Sequence, residues 1–382
     1  MKGKTLLLAS AAAVMATMAA APASAGDWWE NTSISGRMYY DFTNLDSKKH
    51  TYDSTLGHYV SADSTNNGFS FDIKRFYIGI DHTFNDVFSA NVTTDFTYDS
   101  NQCNSPLTST VDISTISVST TCKSTGAASD QLYIKKAYLQ AKIAPELVLR
   151  AGSSDLPWVP FVEGVYGYRY VENTLIDRTS FGTSADWGAY ALGKFADGLI
   201  EYELSATTGA GYKKPVRTNS MDFEGRINLN YEGFIAAVGG YTGDRGATHG
   251  TATPHTASRF DALGAYSANG IRVGVEYFSA TNWNSVTSST QTDDDNGYSA
   301  FASYQFTPEW AVFGRYDWVT TKTKTPTLTK VQDNYYNAGI QYTPFKMINF
   351  ALTYKHDKAD TKGTFQPYAD SDEVGLWGSF QW

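Results

Sequence analysis

The chain ends in Val374-Gly375-Leu376-Trp377-Gly378-Ser379-Phe380-Gln381-Trp382. Val374, Leu376, Gly378, Phe380 and Trp382 alternate with Gly375, Trp377, Ser379 and Gln381. Successive side chains of an extended strand point to opposite sides, so a period of two describes a strand with unlike faces. The segment before it sets Ile348, Phe350, Leu352 and Tyr354 against Asn349, Ala351, Thr353 and Lys355. Further upstream, Ile271, Val273, Val275 and Tyr277 oppose Arg272, Gly274, Glu276 and Phe278. Trp310, Val312, Tyr316 and Trp318 oppose Arg315 and Asp317, and Ile200, Tyr202, Leu204 and Ala206 oppose Glu201, Glu203 and Ser205.

Tight-turn signals stand at Asn85-Asp86, Pro145-Glu146, Asp197-Gly198, Glu232-Gly233, Asn269-Gly270, Pro308-Glu309 and Pro344-Phe345. From the third onward they recur roughly every 37 residues. Longer polar stretches lie between them, near 46–67, 99–130, 153–185, 211–219, 244–256, 282–296, 321–332 and 358–369. Seven short and eight long connections join sixteen strands. Strands of about ten residues or more cross a bilayer when tilted by about 45°.

The sequence therefore predicts an all-β fold, a transmembrane antiparallel β-barrel of about 16 strands with short periplasmic turns and long extracellular loops. A small soluble barrel fills its interior with apolar side chains. Sixteen strands enclose a lumen too wide for that, so it holds water and the apolar face meets lipid. Trp310, Trp318, Tyr304, Phe306, Tyr342, Phe234 and Tyr231 cluster at strand ends, as interfacial girdles do. A propeller, which can also repeat every 40 residues or so, would need apolar residues on both strand faces and a recurrent dipeptide in each blade. Lipid offers no hydrogen-bond partner, so no sheet edge can stay open. Residues Thr32–Phe42, with Arg37 and Asp41 on the polar parity, are expected to pair with Val374–Trp382.

Composition agrees. The 382 residues carry a net charge of −9, and 18% are charged, against roughly a quarter in soluble domains. Aromatic residues reach 15%, which excludes a disordered chain. The acidic balance argues against a nucleic-acid partner. Lys2 and Lys4, the apolar run Leu6–Ala21 and Ala23-Ser24-Ala25 read as a signal peptide over 1–25, cleaved before a barrel spanning 26–382. Export permits disulfides. Cys103 and Cys122 share one Ser/Thr/Asn-rich stretch and are expected to staple a loop. Two cysteines without a nearby histidine make a poor zinc site, and no metal or cofactor is expected.

These features resemble a Gram-negative outer-membrane porin, with Trp382, after Phe380, in the place of that family's terminal aromatic residue. Ala151-Gly152-Ser153-Ser154-Asp155-Leu156-Pro157, followed by Glu163, Arg169, Glu172 and Asp177-Arg178, resembles the third-loop region of the phosphate-selective porin O/P-like family. The resemblance implies a channel for passive diffusion of small hydrophilic solutes and ions. It also implies a homotrimer set in outer-membrane lipid and lipopolysaccharide. Small residues on the outer parity (Ala189, Ala191, Gly193; Ala236, Gly240; Ala300, Ala302) would allow close wall contact. Members selective for anions carry a lysine ladder, whereas this chain is acidic with mixed inward charges, so a phosphate, anion or sugar selectivity stays an alternative.

Loop 153–185 is the expected constriction, because Trp158, Phe161, Tyr166, Tyr168, Tyr170 and Phe181 would be wasted on a loop in water. Asp155, Glu163, Arg169, Glu172, Asp177 and Arg178 would narrow the channel. Parity adds Arg37, Arg75, Arg150, Arg226 and Arg315 to the lining. Lys194, Arg272 and Lys355 follow the same rule, as do the acids Asp81, Asp95, Glu201, Glu203, Glu224, Asp261, Glu276 and Asp317. Many sit two apart, such as Arg315 and Asp317, and neutralise one another; opposed walls would instead set a transverse field. Lys74, Lys135 and Lys136 are ambiguous, since neighbours on a regular strand cannot share a face. The rival readings are an adhesin and an enzyme. An enzyme would need a Ser–His–acid grouping at the rim. Four histidines, His50, His58, His249 and His255, fall in loops, their spacing suggests no such grouping, and no G-x-S-x-G elbow is present. The chain is therefore not expected to be an enzyme.

Overall fold

The computed structural model describes residues 30–64, 66–97, 131–248, 254–325 and 327–382. Residues 1–25, read as a signal peptide, lie outside the described residues, as do Cys103 and Cys122.

The strands follow one another up and down. The first four are β1 (Thr32–Asp53), β2 (His58–Asp63), β3 (Gly68–Thr83) and β4 (Phe88–Thr97). Then come β5 (Gln131–Ala144), β6 (Leu147–Asp155), β7 (Ala185–Phe195), β8 (Ile200–Thr207) and β9 (Asp222–Tyr231). The second half holds β10 (Phe234–Gly243), β11 (Ala257–Ala268), β12 (Ile271–Thr281) and β13 (Thr292–Gln305). It finishes with β14 (Trp310–Thr325), β15 (Thr327–Phe345), β16 (Ile348–Thr361) and β17 (Tyr368–Gln381). Both β2 and β3 pair with β1, β2 above β3, so they share one position in the wall and the barrel has sixteen. It closes through β1 and β17, from Arg37 opposite Gln381 to His50 opposite Tyr368.

Six of the seven short connections fall at the expected signals, while Pro344 and Phe345 still belong to β15 and the turn follows at Lys346-Met347. Glu232-Gly233 and Asn269-Gly270 have both residues at positive φ, as the two-residue hairpin that matches strand twist requires. Two of the expected long loops are mostly strand, and a third is half strand. In place of 46–67, β1 runs on to Asp53 and returns as β2; in place of 321–332, β14 and β15 continue to Thr325 and from Thr327. Half of 358–369 is strand as well, since β16 ends at Thr361 and β17 begins at Tyr368. Above the bilayer both strand faces meet water, so hydropathy alternation vanishes while the β preference of threonine persists.

The outer face is apolar. Leu352 is 58% exposed and Val374 48%, with Ile34, Phe42, Val275 and Leu376 exposed beside them. Trp377, on the other parity, is completely buried. An exposed apolar surface of this extent needs a nonaqueous partner. Rings gather at the short-turn end, where Trp310 and Tyr342 lie 4.6 Å apart and Phe234 and Tyr266 4.8 Å. A second group, Tyr298 on Trp318 at 5.4 Å, stands eight residues further along β14, about 26 Å of strand. Leu352→Arg, between the two groups, is expected to cost about 2–4 kcal/mol in denaturant unfolding of the lipid-embedded barrel. An unchanged midpoint would contradict lipid contact there.

Candidate functional site

The connection from β6 to β7 turns into the lumen. It carries helix α1 (Val159–Tyr166) and a single turn, α2 (Leu175–Arg178). Pro160 sits in the first turn of α1, where its missing N–H costs nothing. Gly167 ends it at φ 79°, its N–H donating to the Glu163 carbonyl. A Cβ at Gly167 would collide with the Arg272 guanidinium.

The loop's apolar side chains are buried against the inner wall of β10–β17. Trp158, Val159, Val162, Val171, Leu175 and Ile176 have essentially no exposure. Tyr168 stacks on Phe313 at 4.2 Å, Tyr166 meets Phe301 edge-on at 5.4 Å, and Phe181 lies 4.7 Å from Phe278. These wall phenylalanines occupy inward positions, so part of the lumen is filled rather than wet. The sequence makes the inner face the polar, water-filled one. That rule fails here because a folded-in loop needs an apolar bed.

Buried charge fixes the loop in place. Arg178 reaches three wall carboxylates, Asp317 at 3.0 Å, Asp333 at 2.6 Å and Asp357 at 3.2 Å. Arg315 bonds Asp317 at 2.5 Å and also donates to the Asn173 carbonyl. Arg226 donates to the Pro157 carbonyl at 2.7 Å and lies 4.1 Å from the Phe161 ring. The Trp158 backbone N–H donates to Glu224 at 3.0 Å and its indole N–H to Glu276 at 2.9 Å. Glu172 pairs with Lys355 at 3.2 Å. Burial alone would raise its carboxyl, but Lys355 and Lys74 hold it down at about 2. Burial pushes the Asp177 carboxyl up, even with Arg169 at 3.4 Å.

The lowered value fixes a sign. A carboxyl held below its ordinary 4.5 stabilises the fold above that pH, and the contribution is lost as pH falls toward about 2. The stability advantage of the natural chain over Glu172→Gln is therefore expected to be full at neutral pH, to decline as pH falls below about 4.5, and to be nearly gone at about pH 2. An advantage that persists at pH 2 would remove the ion pair from the account.

On the short-turn side of the loop lies a chamber of about 870 Å³. Arg37, Lys135, Lys136, Arg169 and Lys346 line it together with Asp81, Asp155 and Glu163, among Tyr39, Tyr77, Tyr138 and Tyr170, and Arg169 pairs with Glu163 at 2.5 Å. Two β-bulges explain the lysines. Register shifts at Tyr39/Tyr40 and at Thr93/Thr94 each insert one residue, which lets neighbours share a face. Lys74 then reaches Asp41 at 3.2 Å while Arg75 reaches Asp95 at 3.1 Å. Lys136 meets Asp155 at 3.2 Å while Lys135 lies 5.1 Å from the Tyr77 ring. The rule that adjacent lysines cannot both face inward is corrected accordingly.

The structure thus separates the candidate residues. Arg37, Asp155, Glu163 and Arg169 line the chamber. Arg178, Arg226 and Arg315 are buried in the loop's anchorage, together with the Glu172 and Asp177 pairs. Arg150 lies on the wall, donating to Gln140 at 2.8 Å and stacked on Tyr138. Arg259 was missed: it bonds Asp261 at 2.8 Å and the Phe181 carbonyl at 2.5 Å. Its place two residues from the inward Asp261 was the available signal.

Among the described residues a Ser–His–Asp grouping does occur. Ser61 Oγ lies 2.9 Å from His50 Nδ1, and Asp370 lies 3.1 Å from Nε2. Histidine spacing could not show it, because β1–β2 register places His50 opposite Ser61. The carboxylate and hydroxyl are on the opposite ring nitrogens from those of a serine-protease triad. Tyr368 stacks on the His50 ring at 4.2 Å. A second cross-strand rung, His356 with Asp372 at 2.9 Å, shows the same pairing without a serine.

No protein-family model matches the chain, and no curated protein sequence matches it. Solved structures match at the level of fold. The outer-membrane channel DcaP of Acinetobacter baumannii is 13% identical, with 92% of this chain and 97% of that one covered at a TM-score of 0.60. OmpT of Vibrio cholerae, an outer membrane protein in its trimer form, is 13% identical over 92% and 99% at 0.56. OmpF of Salmonella typhi, in complex with daunomycin, is 14% identical over 92% and 97% at 0.52. The chain therefore has the fold of the outer-membrane β-barrels.

Proposed function

We propose that this protein is an outer-membrane porin, a water-filled channel for passive diffusion of small hydrophilic solutes and ions. The observation that carries the reading is the polar chamber of about 870 Å³ inside a barrel with an apolar exterior. Loop 153–185 would be the constriction, with Arg37, Asp155, Glu163 and Arg169 touching the solute and Arg178, Arg226, Arg315, Glu172 and Asp177 holding the loop. Arg75 and Arg150 would tune the wall potential. DcaP, an outer-membrane channel, and OmpT, an outer membrane protein in its trimer form, support the same class and a trimeric assembly. Residues 1–25 would direct export and be removed, and Cys103 and Cys122 would close an outer loop. His50, Ser61 and Asp370 would serve as a structural rung rather than as a catalytic triad.

Purified folded protein is expected to give stepwise conductance in planar bilayers. Folded material that never conducts would leave the adhesin reading standing.

The chamber also favours one selectivity. Five cationic side chains line it against three carboxylates, so anions are expected to carry more current than cations, although the chain is acidic overall. Under a salt gradient the reversal potential should take the anion sign and move toward zero in Lys135→Gln/Lys136→Gln. A cation sign in the natural protein would reject this selectivity and leave the channel intact.

A further inference from the structure

The third loop packs on β10–β17, and the chamber below it is lined by β1, β3, β4 and β5. The open side of the lumen therefore runs up these strands. The next inward positions toward the long-loop end are Arg75 on β3 and Asp95 on β4, two residues beyond Tyr77 and Thr93 of the chamber, and residues two apart on a strand share a face. Register sets Asp95 between Tyr77 of β3 and Tyr133 of β5. Asp95 is completely buried, and Arg75 pairs with it at 3.1 Å.

The group that covers this spot comes from elsewhere in the barrel. The connection from β8 to β9, residues 208–221, is held at its base by Asp186, which accepts the Gly209 N–H at 2.7 Å and the Thr208 hydroxyl at 3.2 Å. The Tyr212 N–H donates to the Ala185 carbonyl of β7 at 3.1 Å, while its hydroxyl donates to Asp95 of β4 at 2.5 Å. Tyr212 thus spans β5 and β6, which lie between, and is itself buried. Its ring meets Tyr133 edge-on at 6.5 Å. Lys213 sets its ammonium 4.9 Å from the Tyr133 ring and 5.8 Å from the Tyr212 ring, a placement in which ring electrostatics hold a cation. A charge held by rings stays open to a passing anion.

We propose that Tyr212 and Lys213 form a second constriction on the long-loop side of the chamber. Tyr212 would be a fixed post across the lumen from the wall that carries the third loop, and would set the width of entry. Lys213 would offer an entering anion a cation before it reaches the chamber. The inference rests on the porin reading, and it adds specificity-determining residues outside the third loop.

Single-channel recording of the full, folded protein tests it. In Lys213→Cys, made in Cys103→Ser/Cys122→Ser, coupling a bulky sulfonate to the thiol should cut conductance by about half, while the cysteine-free chain should ignore the reagent. Tyr212→Ala should raise conductance and admit larger neutral sugars in a liposome-swelling assay. Labelled Lys213→Cys channels that conduct as before would overturn the inference, as would a thiol that the reagent cannot reach in conducting channels, or natural conductance and size limit in Tyr212→Ala. Each of these results would leave the porin reading intact. Folded natural protein that never conducts would remove that reading and the inference with it.

Discussion

Arg178→Ala is expected to release the third loop from the wall, lower stability by about 3–5 kcal/mol and raise single-channel conductance several-fold. The side chain is buried and serves Asp317, Asp333 and Asp357 together, while its guanidinium lies 4.5 Å from the Tyr335 ring. Arg315 still covers Asp317 after the change, but Asp333 and Asp357 lose their cation. Removing one partner of a buried pair costs more than the pair contributed, because uncompensated charge remains. Arg178→Lys should recover only part of the loss, since a point charge cannot span three carboxylates as a planar fork does. Denaturant unfolding and bilayer recording measure the two effects. Natural stability and conductance in Arg178→Ala would mean that the loop is held by its apolar contacts alone.

Deleting Val374–Trp382 is expected to abolish folding into membranes altogether. These residues complete the ladder to β1 from Arg37–Gln381 to Asn44–Val374 and the ladder to β16 from Ile348–Phe380 to Tyr354–Val374. Their loss leaves two open edges, and each unsatisfied backbone group in hydrocarbon costs several kcal/mol. Trp382→Ala should be far milder. It removes one ring, 6.0 Å from Phe76 and 5.3 Å from Phe380, and leaves the ladders whole. Protease resistance after refolding into vesicles reads both. A deletion variant as resistant as the natural chain would show that closure does not depend on this strand.

The wall was legible because lipid imposes its rule on every strand alike. Leu352, Val374 and Trp377 betray their faces by parity, and the Glu232-Gly233 and Asn269-Gly270 hairpins by turn chemistry. Legibility failed where that rule lapses. The Thr-rich ends of β14 and β15 stand above the bilayer, so nothing in their pattern separates strand from loop. The bulges beside Lys74 and Lys135 shift parity by one residue, and no local residue type announces them. The aromatic richness of 153–185 pointed to an inward loop. Its partners could not be read, because Phe301 and Phe313 look like any other strand phenylalanines until a loop is laid on them. Arg178 shows the same limit: sequence supplies the cation, while its three aspartates lie on the adjacent strands β14, β15 and β16, to which only the inward loop carries it.

Inside and outside can be told apart by thiol accessibility in reconstituted vesicles, starting from Cys103→Ser/Cys122→Ser. Single cysteines at Asn349 and Gln381, which line the chamber, should react with a small water-soluble reagent, while cysteines at Leu352 and Leu376 should be shielded by lipid. Reaction at Leu352 and Leu376 with protection at Asn349 and Gln381 would turn the barrel inside out and contradict the account.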